Sequence, residues 1–400
     1  MNKVTRLLAL AAAAACAHAA NSDTRFLHTS GTNIVCGSGK VIALNGVNLG
    51  GNWVFEKWMS PLDSTVSDDR TMKAILYRRF GQARAETLIK HYHDTWITEA
   101  DLARIAKQGL NVVRMPVYDL NFFSEAGTYF SDTPFAELDR LIELAWSYGL
   151  YTIIDMHGVP GSQNGEEHSG RLGTAGYWNN ATARQVAGKL WEDIARHYAG
   201  NPAVAGYDLL NEPTGASGAT QWTGDDEFYK RIRAVDPDHI IFIEAVWDWN
   251  DLPDPAKYGW TNVVYEFHHY QWGKGESAQI KAIDKVVTNF EKYKKWNVPC
   301  YIGEFNFFEH EAAWKYGIEK FNENGISWTT WSYKATHGSN NDSWGLYDLK
   351  SGQDAPAVPS LETDSYETIA EKWGQWTTEN AFELNTMLAR TLIPSSSISC

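Results

Sequence analysis

The sequence lacks the features that mark membrane, nucleic-acid-binding and disulfide-rich proteins. Its 400 residues contain 4 cysteines, and no segment beyond the N-terminus carries the ~20 uninterrupted apolar residues of a membrane span. It has no basic run, and 35 Lys and Arg stand against 49 Asp and Glu, which gives a formal net charge of -14. Because nucleic-acid binding depends on clustered Lys and Arg, we expect neither nucleic acid nor a membrane as a partner.

Linkers and internal repeats are also absent from the sequence, which favours a single domain. No Gly/Ser-rich or Pro-rich stretch divides the chain, and no segment recurs at a fixed period. Apolar residues make up 44% and charged residues 21%, values typical of a soluble protein that folds. Aromatic residues are abundant, with 18 Trp, 19 Tyr and 16 Phe, and such rings stack well on neutral sugars. We therefore expect a monomeric domain over residues 20–400 with a neutral ligand.

The N-terminal residues 1–19 have the pattern of a secretory signal peptide. Lys3 and Arg6 precede an apolar run of about ten residues, and small residues in A-x-A order follow it. We expect the mature chain to begin near Ala20 and to be secreted to the extracellular space. A lipoprotein attached through Cys16 is the alternative, which the all-alanine residues before that cysteine disfavour.

Removal of this signal leaves three cysteines, Cys36, Cys300 and Cys400. In an oxidising compartment we expect two of the three to form a disulfide and one to remain unpaired. The sequence does not indicate which two pair. Asn180 and Asn341 begin N-x-T and N-x-S sequons, which predict glycosylation only in a host that glycosylates.

Apolar, β-branched runs alternate with helical patterns along the chain. The eight strand candidates are residues 41–49, 111–117, 151–157, 204–212, 239–245, 262–270, 298–306 and 326–333. The helix candidates are residues 71–81, 98–109, 134–149, 182–198, 225–235, 277–296, 311–325 and a closing helix over 365–391. This alternation implies parallel strands with crossover helices, so we predict an α/β fold of the (β/α)8 TIM-barrel type.

Polar residues concentrate at the C-terminal ends of these predicted strands. They are Asn48, Arg114, Asp155, His157, Asn211, Glu212, Glu244, Glu266, His268, Tyr270, Glu304, Asn306 and Trp331. In a barrel of this type the C-terminal strand ends form the active-site face. Any one of these residues has a structural explanation on its own, so the prediction of a site depends on their clustering.

Two carboxylates stand out within this set because of the strands that carry them. Glu212 and Glu304 end the predicted fourth and seventh strands, which face each other across the mouth of a closed barrel. Glycoside hydrolysis needs two such carboxylates, one to protonate the leaving oxygen and one to attack or to activate water. The alternative for either residue is a solvated or ion-paired position on the rim.

Several motifs resemble the retaining glycoside hydrolases of family 5. They are VRMPV at the second strand, NEP at the fourth, H-x-Y at the sixth, IGEF at the seventh and WSYK at the eighth. A denser match is to the secreted exo-β-1,3-glucanase branch, carried by GVNLGGNWVFEKWMSP, TWITEADLARIAKQGLNVVRMPV and DMHGVPGSQNGEEHSG. The similarity covers about residues 41–347.

The resemblance implies a double displacement that retains the anomeric configuration. Glu212 would be the acid/base and Glu304 the nucleophile, with their carboxyl groups roughly 5 Å apart. Arg114 would lie beside Glu304 and favour its ionised form. Asn211 would bond to the sugar 2-hydroxyl, an interaction that strengthens in the transition state.

The same resemblance gives substrate-binding or supporting roles to five more residues. They are His268, holding the acid/base; Tyr270, contacting the nucleophile; His157, binding the sugar at the cleavage point; Trp331, the platform beneath that sugar; and Glu56, binding hydroxyls of the terminal sugar. We predict no cofactor and no metal. His157 and His269 alone could form a metal pair, but the H-x-x-x-H and C-x-x-C spacings are missing.

The sequence departs from this branch at the rim of the expected cleft. Glu166, Glu167 and His168 replace the usual F-D-N of the loop after the third strand. Gly273 stands where an aromatic residue is usual, and the insertion after the seventh strand is missing, with Trp344 as a different platform. We therefore expect a β-glucan substrate and an exo-β-1,3-glucanase. Endo-β-1,4-glucanase and β-1,6-glucanase are the alternatives, and an inactive carbohydrate-binding protein is the alternative from another class.

Overall fold

A computed structural model of the chain describes residues 24–63, 65–124, 127–245, 252–336, 344–395 and 400. The predicted signal peptide and the sequon at Asn341 lie outside these residues. The strands are β1 Leu27–Ser30, β2 Asn33–Cys36, β3 Asn45–Asn48, β4 Val112–Tyr118, β5 Tyr151–Gly158, β6 Val204–Asp208, β7 Ile240–Glu244, β8 Val263–Tyr270, β9 Cys300–Asn306, β10 Ser327–Thr330, β11 Tyr347–Leu349 and β12 Phe382–Leu384.

Helices follow most of the barrel strands and cover the outside of the sheet. They are α1 Asp69–Phe80, α2 Gln82–Trp96, α3 Glu99–Lys107, α4 Ala136–Ser147, α5 Ala181–Tyr198, α6 Gly218–Arg233, α7 Glu276–Tyr293, α8 Glu311–Glu323, α9 Tyr366–Gly374, α10 Thr378–Ala381 and α11 Thr386–Thr391.

The strands β3 to β10 form a closed parallel barrel in which each strand pairs with its neighbour in the chain and β10 returns to β3. All eight predicted barrel strands are confirmed, and with them the single-domain (β/α)8 fold. The fourth barrel strand is shorter than predicted, because β6 ends at Asp208. Glu212 therefore lies on the turn four residues beyond the strand and not at its last residue.

The predicted closing helix over 365–391 is wrong, because this segment forms α9, α10, β12 and α11 in succession. The side chains of Ser365, Thr377 and Asn385 each accept a bond from a backbone N–H three residues on, so each begins a new helix. The sequence analysis also missed α2, which follows Gly81, and the β1–β2 hairpin. Gly81 has a φ of 75°, which interrupts the helical pattern between α1 and α2.

One apolar layer lies outside the barrel strands and another lies inside them, because side chains alternate along each strand. Outward residues such as Val113 and Ile243 pack under the helices in the larger buried cluster. Inward residues of the lower barrel, together with residues of the β1–β2 hairpin and of the segment before β3, form a second cluster, which we call the barrel floor. The barrel floor consists of Leu27, Ile34, Cys36, Ile42, Leu44, Val112, Tyr151, Ile153, Ala205, Ile240, Phe242, Val264 and Tyr301. The hairpin thus closes the barrel from below.

Three cysteines are present among the described residues, and all three are free thiols. The Cys36 and Cys400 thiols are neighbours, and the Tyr151 hydroxyl lies 3.4 Å from the Cys400 Sγ. The pairing of two cysteines stays a prediction. Asn180 is exposed and caps α5 by accepting a bond from the Ala183 N–H. Among the described residues, no helix combines the length and apolar character that crossing a membrane requires.

Candidate active site

The polar residues predicted at the strand ends point into the barrel above its floor. Along four strands an inward apolar residue is followed, two positions later, by an inward charged one. These pairs are Val112 and Arg114, Ile153 and Asp155, Phe242 and Glu244, and Val264 and Glu266. Because side chains of a strand alternate with a period of two, each pair faces the same interior. We call this upper, polar end the barrel mouth.

The two predicted catalytic carboxylates meet at the barrel mouth. One oxygen of Glu212, one ring nitrogen of His268 and one oxygen of Glu304 lie within 4.8 Å of one another. Glu212 has a φ of 42°, in the left-handed region where backbone strain is typical of functional sites. Its N–H donates to Glu244 Oε2 at 2.7 Å, so a buried carboxylate fixes this turn.

Glu304 receives one hydrogen bond at each carboxylate oxygen. Arg114 Nη1 donates to Oε1 at 2.9 Å, and the Tyr270 hydroxyl donates to Oε2 at 2.9 Å. The preceding residue must be glycine, because a Cβ on Gly303 would lie 1.6 Å from Glu266 Oε1. The contacts predicted for Arg114 and Tyr270 are therefore present in the structure.

Glu212 has a different set of neighbours, dominated by histidine. His268 Nδ1 lies 2.9 Å from Glu212 Oε1, and His168 Nε2 lies 3.3 Å from Oε2. Burial raises the pKa of Glu212, and the charges of His168 and Arg114 oppose that rise. Burial also lowers the pKa of His268 to about 3, so this partner is a neutral imidazole. These surroundings favour a carboxyl group that holds a proton.

Arg114 is fully buried and connects the nucleophile candidate to the rest of the barrel mouth. Its Nε donates to Asp208 Oδ2 at 2.8 Å, and its Nη2 donates to Asn211 Oδ1 at 3.0 Å and lies 3.1 Å from Asp155. Burial raises the pKa of Asp155 to about 7 and of Asp208 to about 6, against the effect of Arg114. The sequence analysis missed Asp208, whose only signal was a charged residue inside an otherwise apolar strand.

Most of the residues predicted to bind substrate line a cavity of about 650 Å³ beside the carboxylates, namely Glu56, His157, Asn211, Tyr270 and Trp331, whereas Arg114 and His268 do not line it. The His157 and Trp331 rings stack at 5.4 Å with an interplanar angle of 12°, and the peptide bond after Trp331 is cis. Asp155 Oδ2 holds His157 Nδ1 at 2.6 Å. Glu56 accepts a bond from Trp58 Nε1 at 2.8 Å, and burial raises the pKa of Glu56 to about 8. This volume is typical of a small-ligand site.

Aromatic side chains form one wall of this cavity, which we call the aromatic wall. Its members are Trp58, Tyr270, Trp272 and Trp344, which line the cavity, and Phe308, which packs behind Trp272 and Trp344; their ring contacts lie between 4.7 and 6.2 Å. Trp272 is 60% exposed, which leaves a large aromatic face open to solvent beside the carboxylates. The sequence pattern indicated Trp344 as a platform but not Trp58, although Trp58 lies within the quoted opening motif.

Glu212, His268 and Glu304 are, within the described part of the chain, the one group of three that could reach a common metal ion. We interpret the group as a hydrogen-bonded site, because the Arg114 cation 2.9 Å from Glu304 would repel a second cation. The histidine pair considered from the sequence is not formed at this site, since His269 does not line the cavity.

A model of the family described as Cellulase (glycosyl hydrolase family 5) matches residues 78–337. The chain belongs to glycosyl hydrolase family 5. This confirms the resemblance of the motifs and the prediction that the protein is a glycoside hydrolase.

Two relatives of this family 5 protein have names that indicate different substrates. "Beta-xylosidase" of Phanerodontia chrysosporium is 28% identical over 341 residues, which cover 77% of this chain and 71% of that protein. "Probable glucan 1,3-beta-glucosidase A" of Neosartorya fischeri is 30% identical over 275 residues, which cover 66% of this chain and 65% of that protein. The chain covers less than two thirds of the length of several such relatives, and the coverage falls to 56%.

A solved structure supports the fold of this family 5 protein independently of the motifs. The crystal structure of rutinosidase from Aspergillus niger has a TM-score of 0.59 at 19% identity, and the match covers 76% of this chain and 95% of that chain. At this identity the likeness concerns the fold alone.

Proposed function

We propose that this glycoside hydrolase is a secreted, retaining exo-β-1,3-glucanase, a glucan 1,3-beta-glucosidase. The observation that carries the proposal is the approach of Glu212 and Glu304 oxygens to within 4.8 Å of each other. Retaining enzymes hold their two carboxyl groups about 5–5.5 Å apart, whereas inverting enzymes leave about 6.5–9.5 Å for a water molecule. The separation therefore favours direct attack by a carboxylate.

In the first step Glu304 attacks the anomeric carbon of the bound sugar. Arg114 and Tyr270 each donate to one of its oxygens, which holds the carboxylate in one orientation. As the bond from carbon to Glu304 forms, the bond to the leaving oxygen breaks, and Glu212 gives that oxygen its proton. The product of this step is a glycosyl ester on Glu304.

In the second step the ionised Glu212 accepts a proton from water as that water attacks the anomeric carbon. The bond to Glu304 breaks, and the sugar leaves with its original configuration. Burial raises the pKa of Glu212, which suits a group that must start the cycle protonated. Asn211, held by Arg114 at 3.0 Å, would bond to the 2-hydroxyl of the sugar during both steps.

The preference for a β-1,3-glucan rests on the named relatives and on the cavity. Several relatives carry the name glucan 1,3-beta-glucosidase, including that of Blumeria graminis at 29% identity over 69% of this chain. Glu56, buried and at the edge of the aromatic wall, offers an acceptor for hydroxyls of a terminal sugar. Endo-β-1,4-glucanase and β-1,6-glucanase activities use the same carboxylate pair and remain the alternatives within β-glucans.

A second candidate is β-xylosidase, favoured by the relative of that name that aligns with 77% of this chain. Xylose lacks the hydroxymethyl group of glucose, so the two sugars differ in the space that they need above Trp331. The catalytic steps would be the same for both.

The deciding experiment measures products from laminarin, carboxymethyl-cellulose, pustulan and the nitrophenyl β-glucoside and β-xyloside. An exo-β-1,3-glucanase releases glucose alone from laminarin and prefers the glucoside to the xyloside. Longer oligosaccharides would indicate endo action, and faster xyloside cleavage would favour the second candidate. Proton NMR of the first anomer tests retention, because an inverted product excludes Glu304 as the nucleophile.

The matched control is Glu304→Gln, which keeps the size of the side chain and removes the nucleophile. If the unaltered protein releases sugar from none of these substrates, a carbohydrate-binding role is the remaining explanation. N-terminal sequencing of the exported protein tests secretion, with a start near Ala20 as the expected result.

A further inference from the structure

Glu166 lines the cavity on the side of the acid/base candidate. Asn164 joins the two residues, because its Oδ1 accepts a bond from the Glu166 N–H at 2.9 Å and its Nδ2 donates to the Glu212 carbonyl at 3.0 Å. The Glu166 carbonyl accepts bonds from the N–H and the hydroxyl of Ser169, at 3.2 and 2.7 Å. The backbone of Glu166 is therefore held on both sides, in a fixed position beside Glu212.

The side chain of Glu166 is exposed and has no partner within the described parts of the chain. Its carboxylate forms neither a hydrogen bond nor an ion pair with any residue there. Burial raises the pKa of Glu212, and the negative charge of Glu166 adds to this rise. The charge of Glu166 therefore acts inside the cavity, at the acid/base candidate.

The other titratable groups of the cavity do not balance this charge. The described residues that line the cavity include neither Lys nor Arg. Burial lowers the pKa values of the two histidines in the lining and raises those of Glu56 and Glu212, which favours the neutral form of all four. Glu304 already accepts a bond from Arg114 at 2.9 Å. Glu166 is thus the lining carboxylate whose negative charge is left without a cation.

The position of Glu212 identifies the part of the substrate that Glu166 would meet. In the proposed mechanism Glu212 gives its proton to the leaving oxygen, so the leaving group lies beside Glu212 and Glu166. Glu166 stands where the exo-β-1,3-glucanase pattern has phenylalanine, so a charge replaces an apolar ring at this rim. The aromatic wall belongs to the same cavity, and indole faces also attract cations. Both features favour a leaving group with a positive charge.

We propose that Glu166 makes the cavity selective for leaving groups that carry an ammonium group, on an amine-bearing aglycone or an amino sugar. The inference rests on the proposed function, because it concerns the group that Glu212 protonates. A neutral glucose unit can still donate hydroxyl hydrogen bonds to Glu166, so the proposal is compatible with a neutral glucan as substrate. An ammonium group adds the attraction of an ion pair.

Two aryl glucosides that differ in one group test the proposal. They are 4-(aminomethyl)phenyl and 4-(hydroxymethyl)phenyl β-glucoside, of which the first carries an ammonium at about pH 6.5. We expect Glu166→Gln to lower kcat/KM about threefold more for the ammonium substrate than for the neutral one, the size of one partly exposed ion pair. Differences in leaving-group strength cancel in this ratio, and so does the change in the pKa of Glu212, because both substrates meet the same free enzyme.

Three controls accompany this measurement. The threefold factor should approach one at about 1 M salt, where the Debye length is about 3 Å. Glu166→Phe, which restores the residue of the pattern, should change the ratio as Glu166→Gln does. Glu319→Gln, on the exposed face of α8 and outside the cavity, should leave the ratio unchanged.

Binding measured by calorimetry separates this inference from the proposed function, because it needs no turnover. In the Glu304→Gln protein we expect the preference for the ammonium glucoside to fall about threefold when Glu166→Gln is added. A preference that does not depend on Glu166 overturns the proposal, even if both glucosides are cleaved. Inactivity of the unaltered protein, with the Glu166-dependent preference intact, would contradict the proposed function alone.

A pair of disaccharides identifies the source of the ammonium group. The pair is glucosyl-β-1,3-glucosamine and laminaribiose, which differ in one amino group. A Glu166-dependent preference for the first disaccharide supports an amino sugar as the leaving group. A preference confined to the aryl pair supports an amine-bearing aglycone, and a preference in neither pair overturns the proposal.

Discussion

The barrel mouth and the barrel floor are built by the same strands and have opposite chemistry. In β7, Phe242 belongs to the apolar floor, and Glu244, two residues later, binds the turn that carries the acid/base candidate. In β4, Val112 and Arg114 have the same relation. A step of two residues along a strand therefore separates a residue that stabilises the barrel from one that serves the site.

Burial of side chains contributes a stabilising free energy at the floor and a destabilising one at the mouth. Burying apolar surface in the floor contributes about 25 cal/mol per Å². Burying carboxylates at the mouth is costly unless each one is paired, and Arg114 is the shared partner of Asp155, Asp208, Glu266 and Glu304. The comparison implies that the floor supplies stability that the mouth gives up for chemistry.

The largest expected effect lies at the mouth and concerns activity alone. Glu304→Gln should lower kcat on the preferred glucan by on the order of 10⁴-fold or more, because the nucleophile is lost. The melting temperature should change little, since the amide oxygen still accepts a bond from Arg114. Glu309→Gln, on an exposed neighbouring carboxylate, is the control and should keep full activity. Residual activity above about 1% would contradict the nucleophile role.

At the floor we expect a substitution to lower stability and to leave activity nearly unchanged. Phe242→Ala should lower the free energy of unfolding by about 3–5 kcal/mol, because it opens a cavity beside Tyr301, whose ring lies 5.2 Å away. At a temperature where the variant is folded, kcat/KM should stay within about threefold of the unaltered value. Urea unfolding measures the first quantity, with exposed Leu384→Ala as the control. A large loss of activity in the folded variant would mean that floor and mouth are not separable.

A disulfide beneath the floor should change the free energy of unfolding by less than Phe242→Ala does. With oxidised glutathione as the oxidant, we expect the neighbouring Cys36 and Cys400 thiols to form a disulfide as glutathione is reduced. The bond should add about 2–4 kcal/mol to the free energy of unfolding, and Cys300→Ser should keep this gain whereas Cys400→Ser should lose it. Non-reducing peptide mapping checks the pairing, and a peptide that links Cys300 to either partner would refute it.

The smallest expected effect, counted per pH unit, is a pH dependence that originates at the mouth. Burial raises the pKa of Glu56 from 4.5 to about 8, so the folded chain binds more protons than the unfolded chain between these values. The free energy of unfolding should therefore fall as pH rises through this window, by at most about 1.4 kcal/mol per pH unit from this group. Glu56→Gln should flatten the slope in urea unfolding at several pH values. An unchanged slope would show that Glu56 is ionised in the folded chain.

The sequence predicted much of the fold because its strongest signals are local. Each barrel strand is a short apolar run, and the periodicity of the helices between them is visible without tertiary information. The tail was mispredicted because the caps at Thr377 and Asn385 interrupt a pattern that reads as continuous. Asp208 and Trp58 were missed for another reason, since a single polar or aromatic residue signals nothing until its neighbours are known.

The sequence by itself determined the order of the eight barrel strands, the two carboxylates and the family, because these depend on residue types at fixed spacings. Only the tertiary structure decided which groups touch. It brought Glu212 and Glu304 together from opposite sides of the barrel, and it placed His168 Nε2 3.3 Å from the acid/base candidate. Closure of the barrel is the physical reason, because it joins strand ends that are distant in the chain.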